Sequence, residues 1–377
     1  MKRFLPLFLG AMAIGMAEFA LSGVITQISS NLNVGIVDAG RLMTIYALGV
    51  VVGAPLVIVL SNKLSLKKSI IFLLSSFVIC NALIALSDDF YAIFMIRFLS
   101  GLPHGSFFGV GAIIARKMAT KGKEGHAMSI LFAGFTVSAI IGTPLGIVMS
   151  DIFSWRSLFY AITVLSMAAV IFAILLLKDE YEEPKKVSIL SFLKKKQNVL
   201  LVFIVAAGTT GFFSCLTYIE PILILESGLS HSMIPAIISI IGLGMFFGNF
   251  LGGWLTDNFN KRRIISVIFF IMIVDLLFIF VFSHLYICVI FLAFINGMLA
   301  FALVIPLQSL MIEAANKCDV LAASICQGSQ NIGNILGSFL GGFPILWGHF
   351  SYSASIFPGI IMILLALVLL KKLSFNE

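Results

Sequence analysis

Charge is scarce in this 377-residue chain, where Asp, Glu, Lys and Arg together make up 11%. A water-soluble domain carries about a quarter. Hydrophobic residues reach 60% and the mean hydropathy is +1.13, more apolar surface than a chain of this size can hide in its own core. A soluble globular protein is excluded, and an integral membrane protein is implied. Cysteine is also sparse. The five, at 80, 215, 288, 318 and 326, are odd in number and scattered. They have neither metal-ligand spacing nor a disulfide framework, and read as small apolar fillers. There is no G-x-x-x-x-G-K-[ST] phosphate loop, no H-E-x-x-H and no G-x-S-x-G. The motifs of an ATP-driven pump or an intramembrane hydrolase are therefore missing. A membrane sensor, which would usually carry an appended soluble domain, finds no such segment here.

What is abundant is long apolar runs. A membrane-spanning helix needs about 20 mostly apolar residues. Twelve such runs are read, at 4–26, 40–60, 69–87, 91–115, 127–149, 157–177, 199–220, 233–256, 264–283, 286–311, 322–346 and 353–370. The basic N-terminus runs into an apolar stretch that continues past Glu18, so it reads as a first span rather than a cleaved leader. The one longer join, 178–198, divides the spans six and six. The expected fold is all-α and integral to the membrane: an N-terminal six-helix bundle at 1–177, a cytoplasmic loop at 178–198 and a C-terminal bundle at 199–377.

With a cytoplasmic N-terminus, all 24 basic residues except Arg41, Arg97 and Arg156 fall on the inner side. Asp38, Asp88, Asp89 and Asp151 fall outside. This is the positive-inside distribution. It accounts for the isoelectric point near 9.2 and requires no nucleic-acid partner. The stretch "SILSFLKKK" reads as either a short amphipathic helix on the inner surface or a solvated linker.

The two halves repeat. "LGVVVGAPLVIVLSNKLSLKK" from residue 48 aligns without a gap on "LGMFFGNFLGGWLTDNFNKRR" from residue 243, and "IIGTPLG" from 140 aligns on "ILGSFLG" from 335. Both matches share an offset of 195 residues. Two parallel six-span halves are a known build for secondary transporters, with the substrate site near mid-membrane between them.

"GGWLTDNFNKRR" resembles the G-x-L-x-D-x-x-G-R-R loop of the major facilitator superfamily, with Asp257, Lys261 and Arg262 on its charged positions and Asn260 in place of a glycine. In the first copy, Asn62 stands where Asp is expected and Ser65 where Gly is, followed by Lys63 and Lys67. "RFLSGLPHG" resembles the fourth-span R-x-x-x-G motif, and "GTPLG" the fifth-span exporter motif through Gly142, Pro144 and Gly146, with Thr143 inserted. Together with "GMAEF", "YALGVVVGAP" and "FSWR", these resemble the twelve-span drug/proton antiporter branch, and within it the AraJ-type sugar-efflux permeases. The resemblance implies proton-coupled efflux of a small molecule, sugar or drug-like, by alternating access. An importer or uniporter of a small solute is the alternative. It further implies a bacterial inner-membrane location with both termini cytoplasmic, a monomer in the lipid bilayer, no metal, and no cofactor beyond the proton gradient.

Ionisable groups inside apolar runs are expensive and mark function. By helical rise, Glu18 lies roughly 12 Å from the outer end of span one and Arg97 about 9 Å below the outer start of span four. The expectation is that they sit near each other, paired directly or through water or substrate, in a wet pocket. His104, two turns from Arg97 on one face, is either a proton carrier or a neutral ring bonded to backbone opened by Pro103. A carboxylate held tightly by a guanidinium would not take up a proton. Coupling therefore requires the pair to loosen in one access state, or His104 to carry the proton. Tyr46, Tyr218, Asn296, Gln308 and Asn331 are candidates to read substrate hydroxyls, although helix–helix hydrogen bonds are the commoner use. No role is read for Asp275.

Overall fold

The computed structural model describes residues 2–61, 64–178, 192, 194–230, 233–314, 319–348 and 351–373. Among them every regular element is helical. Helix α1 (Leu5–Phe19) passes through a 3₁₀ stretch, Ala20–Val24, into α2 (Ile25–Asn31). Then come α3 (Ile36–Ser61), α4 (Leu66–Leu86), α5 (Phe90–Met118) and α6 (Glu124–Val137). A π-helical turn, Ser138–Gly142, joins α6 to α7 (Thr143–Ile152), and α8 (Arg156–Leu176) follows. The rest comprises α9 (Lys196–Leu216), α10 (Ile234–Asn258), α11 (Lys261–Val281), α12 (Tyr286–Ala314), α13 (Asp319–Gly348) and α14 (Ile356–Lys371).

Nine helical segments among the described residues are long and apolar enough to cross a membrane. At the other three expected positions the chain is also helical: the broken α1–α2 segment, α3 and α13. The outward faces suit hydrocarbon. On α8, Val164, Met167, Ile171 and Leu175 are exposed, at the three- and four-residue spacing of one helical stripe.

The chain forms two compact units. The first is Met1–Ile189 with Lys317–Gly328, and the second is Leu190–Asn316 with Ser329–Glu377. The early part of α13 thus belongs with the first unit and the remainder with the second. Inside the first unit α3 packs on α5, α4 on α5 and α8, and α1 on α6 and α8. Inside the second, α10 packs on α12, α11 on α12 and α14, and α9 on α14. The α3–α5, α4–α5, α4–α8 and α1–α8 pairings recur as α10–α12, α11–α12, α11–α14 and α9–α14.

The glycines set that pattern. A Cβ on Gly49 would lie 2.2 Å from the Phe98 carbonyl oxygen, and one on Gly244 would lie 2.1 Å from that of Phe294. One helical turn further along, a Cβ on Gly53 would lie 2.1 Å from the Leu102 oxygen and one on Gly248 2.0 Å from that of Met298. Only glycine permits such backbone approach.

The departures from the family loop have a local cause. Ser65 caps α4, its Oγ accepting from the Lys68 N–H at 3.3 Å. Asn260 caps α11, its Oδ1 accepting from the N–H groups of Arg262 and Arg263 at 3.1 and 3.2 Å. The two residues stand 195 apart, so each half replaces glycine with a stronger N-cap at the same place.

Candidate functional site

The buried ionisable groups of the first unit converge where α1, α3, α5 and the first turns of α13 meet. Glu18 is the penultimate residue of α1. Arg97, His104 and Tyr46 are 1%, 0% and 2% exposed. His104 Nδ1 lies 3.1 Å from the Tyr46 hydroxyl and 3.8 Å from Glu18 Oε2. Its Nε2 lies 3.5 Å from the Gln327 amide nitrogen. The rings of Phe108 and Phe135 flank the imidazole at 5.3 and 6.1 Å between centroids.

Arg97 approaches Tyr46 from another side, its guanidinium carbon 4.2 Å from the ring centroid. Its Nη2 donates to the Ala17 carbonyl at 3.2 Å and its Nε to the Leu42 carbonyl at 3.4 Å. Tyr46 therefore links the two basic groups, offering its π face to Arg97 and its hydroxyl to His104.

Of the alternatives expected for Glu18 and Arg97, the direct ion pair is not made among the described residues, and pairing through water or substrate stays open. The guanidinium instead takes carbonyls of α1 and α3. The last turn of α1 lacks the α-type donors that would otherwise occupy its carbonyls, and Ala17 lies in that turn, next to Glu18. Of the two readings of His104, the ring bonded to backbone near Pro103 is not seen among the described residues, and its partners are side chains. Glu18 Oε2 and Arg97 Nη1 are both buried and have no hydrogen-bond partner among the described residues. A proton could pass between Glu18 and His104 only after their separation closes to hydrogen-bond length or one water bridges it.

The remaining candidates divide by partner. The Tyr218 hydroxyl donates to the Ser338 carbonyl at 2.9 Å, and Asn296 donates to Asp275. Both are thus used between helices of the second unit. Gln308 is buried, and neither amide atom has a partner among the described residues. Asn331 is buried on α13.

For the loop motifs, Asn62 and Lys63 lie outside the described residues. Lys67 Nζ donates to the Ile174 carbonyl at 2.8 Å, fastening α4 to the end of α8. Asp257 ends α10. Lys261 pairs with Glu313 at 2.9 Å, and Arg262 Nη1 donates to the Leu373 carbonyl at 2.8 Å. Gly142 closes the π turn against Met16, where a Cβ would lie 2.6 Å from Met16 Cγ. Pro144 occupies the first turn of α7. Gly146 abuts Leu158.

Sequence reasoning missed Gln327, one of several polar residues in "CQGSQN" that nothing distinguishes from helix-packing amides. It also missed the carbonyls of Ala17 and Leu42, for which a sequence carries no signal.

Long apolar helices around a buried acid, guanidinium and imidazole define a multi-pass membrane protein of the transporter kind. Over residues 7–317 the chain matches the Major Facilitator Superfamily, and it belongs to that family. It is similar to the putative transporter AraJ of Escherichia coli (strain K12), 36% identical over 350 residues that cover 92% of this chain and 89% of that one. It is 31% identical to the inner membrane transport protein YdhP of the same strain over 368 residues, 97% of this chain and 94% of that one. A probable sugar efflux transporter of Helicobacter pylori (strain ATCC 700392 / 26695) is 27% identical over 342 residues, 89% and 86% of the two chains. Among solved structures, the transporter FucP in its outward conformation superposes with a TM-score of 0.79 at 14% identity, over 100% of this chain and 98% of that one. That likeness shows the shared fold. The chain is a membrane transporter and not an enzyme.

Proposed function

We propose that this transporter exports a small hydroxylated or drug-like solute across the bacterial inner membrane, driven by inward proton flow. In this reading the chain crosses twelve times, in two related six-helix bundles, with both termini in the cytoplasm. It works as a monomer by alternating access. The observation that carries the reading is that Glu18 Oε2 and Arg97 Nη1 are each buried without a hydrogen-bond partner among the described residues, with His104 Nδ1 3.8 Å from Glu18 Oε2. A solute hydroxyl fits that pair, accepting from Arg97 while donating to Glu18. Gln308, with a free donor and a free acceptor among the described residues, is a second hydroxyl reader. The names of the relatives, sugar efflux among them, support the solute class and the direction.

Protonation of Glu18 removes its charge and turns one acceptor oxygen into a donor, which weakens its hold on the solute without abolishing it, while Arg97 stays held by two carbonyls and a ring. Each proton moved through the membrane potential supplies about 2.3 kcal/mol per 100 mV, enough for uphill export without ATP. The test is counterflow in proteoliposomes with a panel of sugars and drug-like cations, with and without a pH gradient. Gradient-driven accumulation of a panel member supports the reading. Exchange that ignores the gradient points instead to a uniporter.

A further inference from the structure

The second unit holds a buried acid that the site above does not use. Asp275 lies in the interior of α11 and is 4% exposed, while Asn296 lies on α12 and is 1% exposed. The Asn296 amide nitrogen donates to Asp275 Oδ2 at 2.8 Å. That leaves Asp275 Oδ1 and Asn296 Oδ1, both buried and both without a partner among the described residues. Two buried acceptors on groups already joined by one bond are costly as they stand.

A single proton resolves both. A carboxylic acid and a primary amide can share two hydrogen bonds, the amide N–H donating to the acid carbonyl and the acid O–H donating to the amide carbonyl. We propose that Asp275 binds a proton on Oδ1 and donates it to Asn296 Oδ1, making the pair a neutral proton-holding site in the second unit, separate from Glu18.

Among the described residues, desolvation and the Asn296 hydrogen bond are what act on Asp275. The titratable group facing Asp275 from α9 is the Cys215 thiol. On α12 the ionisable residues are Tyr286, Cys288 and Glu313, on α10 Asp257, on α14 Lys371, and on the short 3₁₀ turn before it Tyr352. The basic residues of α11 itself, Lys261, Arg262 and Arg263, lie about 20 Å away along the helix. The α11 neighbours Met272, Leu276 and Ile279 are buried and apolar, leaving an ionised carboxylate with little to replace its water.

Infrared difference spectroscopy of the full chain in phosphatidylcholine vesicles at neutral pH reads this directly. The expected result is a protonated-carboxyl C=O band in the wild type that is absent from Asp275→Asn. In Asn296→Ala the same band should move to higher frequency, because the acid carbonyl loses its donor. The absence of any Asp275-dependent band in that region, or the loss of carboxylate bands instead, would overturn the proposal. If Asp275→Asn does not fold, the Asn296→Ala minus wild-type spectrum decides: a shifted band supports the proton-holding pair, and an unshifted one rejects it. None of these outcomes depends on what the transporter carries.

Discussion

Three side chains in the first unit, Arg97, Tyr46 and His104, are almost completely buried, and each has a different task. Arg97 is held by two backbone carbonyls and an aromatic face, a fork geometry that lysine cannot reproduce. Arg97→Lys is therefore expected to cut transport at least about tenfold and lower the thermal midpoint in detergent, because one ammonium cannot serve both Ala17 and Leu42. Tyr46→Phe keeps the ring under the guanidinium and removes only the hydroxyl bonded to His104. It should leave folding near normal while shifting the pH profile of transport. An unchanged profile would show that His104 is a packing residue. The placement of Glu18 3.8 Å from His104 was hard to read in the sequence. A guanidinium and a carboxylate at similar depth suggest an ion pair, but the carbonyls of Ala17 and Leu42 take the guanidinium instead.

Between elements, the contacts that matter are glycine to backbone. Gly53→Ala and Gly248→Ala place a methyl about where a carbonyl oxygen now sits, so each should cost about 1–3 kcal/mol through forced helix separation. At Gly40, by contrast, a Cβ would meet nothing within 4 Å. Being in the helical interior of α3, Gly40→Ala should instead stabilise by about 0.5–1 kcal/mol. Thermal midpoints of the three variants check the contrast, and equal losses in all three would contradict it. Helix positions were legible because hydrocarbon demands long apolar runs, and the repeat was legible because its glycines must recur wherever two backbones touch. The break in α1 at Ala20–Val24 was not, since those residues are as apolar as the helix before them. Nor was the Asp275–Asn296 bond. It spans the α11–α12 hairpin, and amides are common among packed helices for many reasons.

At the scale of the whole molecule, the chain carries its polar machinery unevenly. The packing pattern repeats at a 195-residue offset, yet Glu18 corresponds to Phe213 and Tyr46 to Ile241. The first unit thus holds the acid, the guanidinium and the imidazole, while the second holds Asp275 with Asn296 and Gln308, whose amide atoms have no partner among the described residues. Duplication preserved helix contact, which glycine spacing enforces, and left the charges free to diverge. The proposed orientation follows from the basic residues. With the native cysteines replaced, Asp89→Cys should react with a membrane-impermeant maleimide added to intact cells, and Lys123→Cys only after permeabilisation. The reverse labelling would invert the topology and, with it, the sense of export.

The account turns on Glu18 as the group that exchanges a proton for solute. Its most direct test is transport by wild type and Glu18→Gln in the same proteoliposomes, read as gradient-driven accumulation and as gradient-free counterflow of a solute the wild type carries. The expected result is that Glu18→Gln retains counterflow and loses accumulation under a pH gradient. Accumulation at the wild-type level in Glu18→Gln would contradict the account.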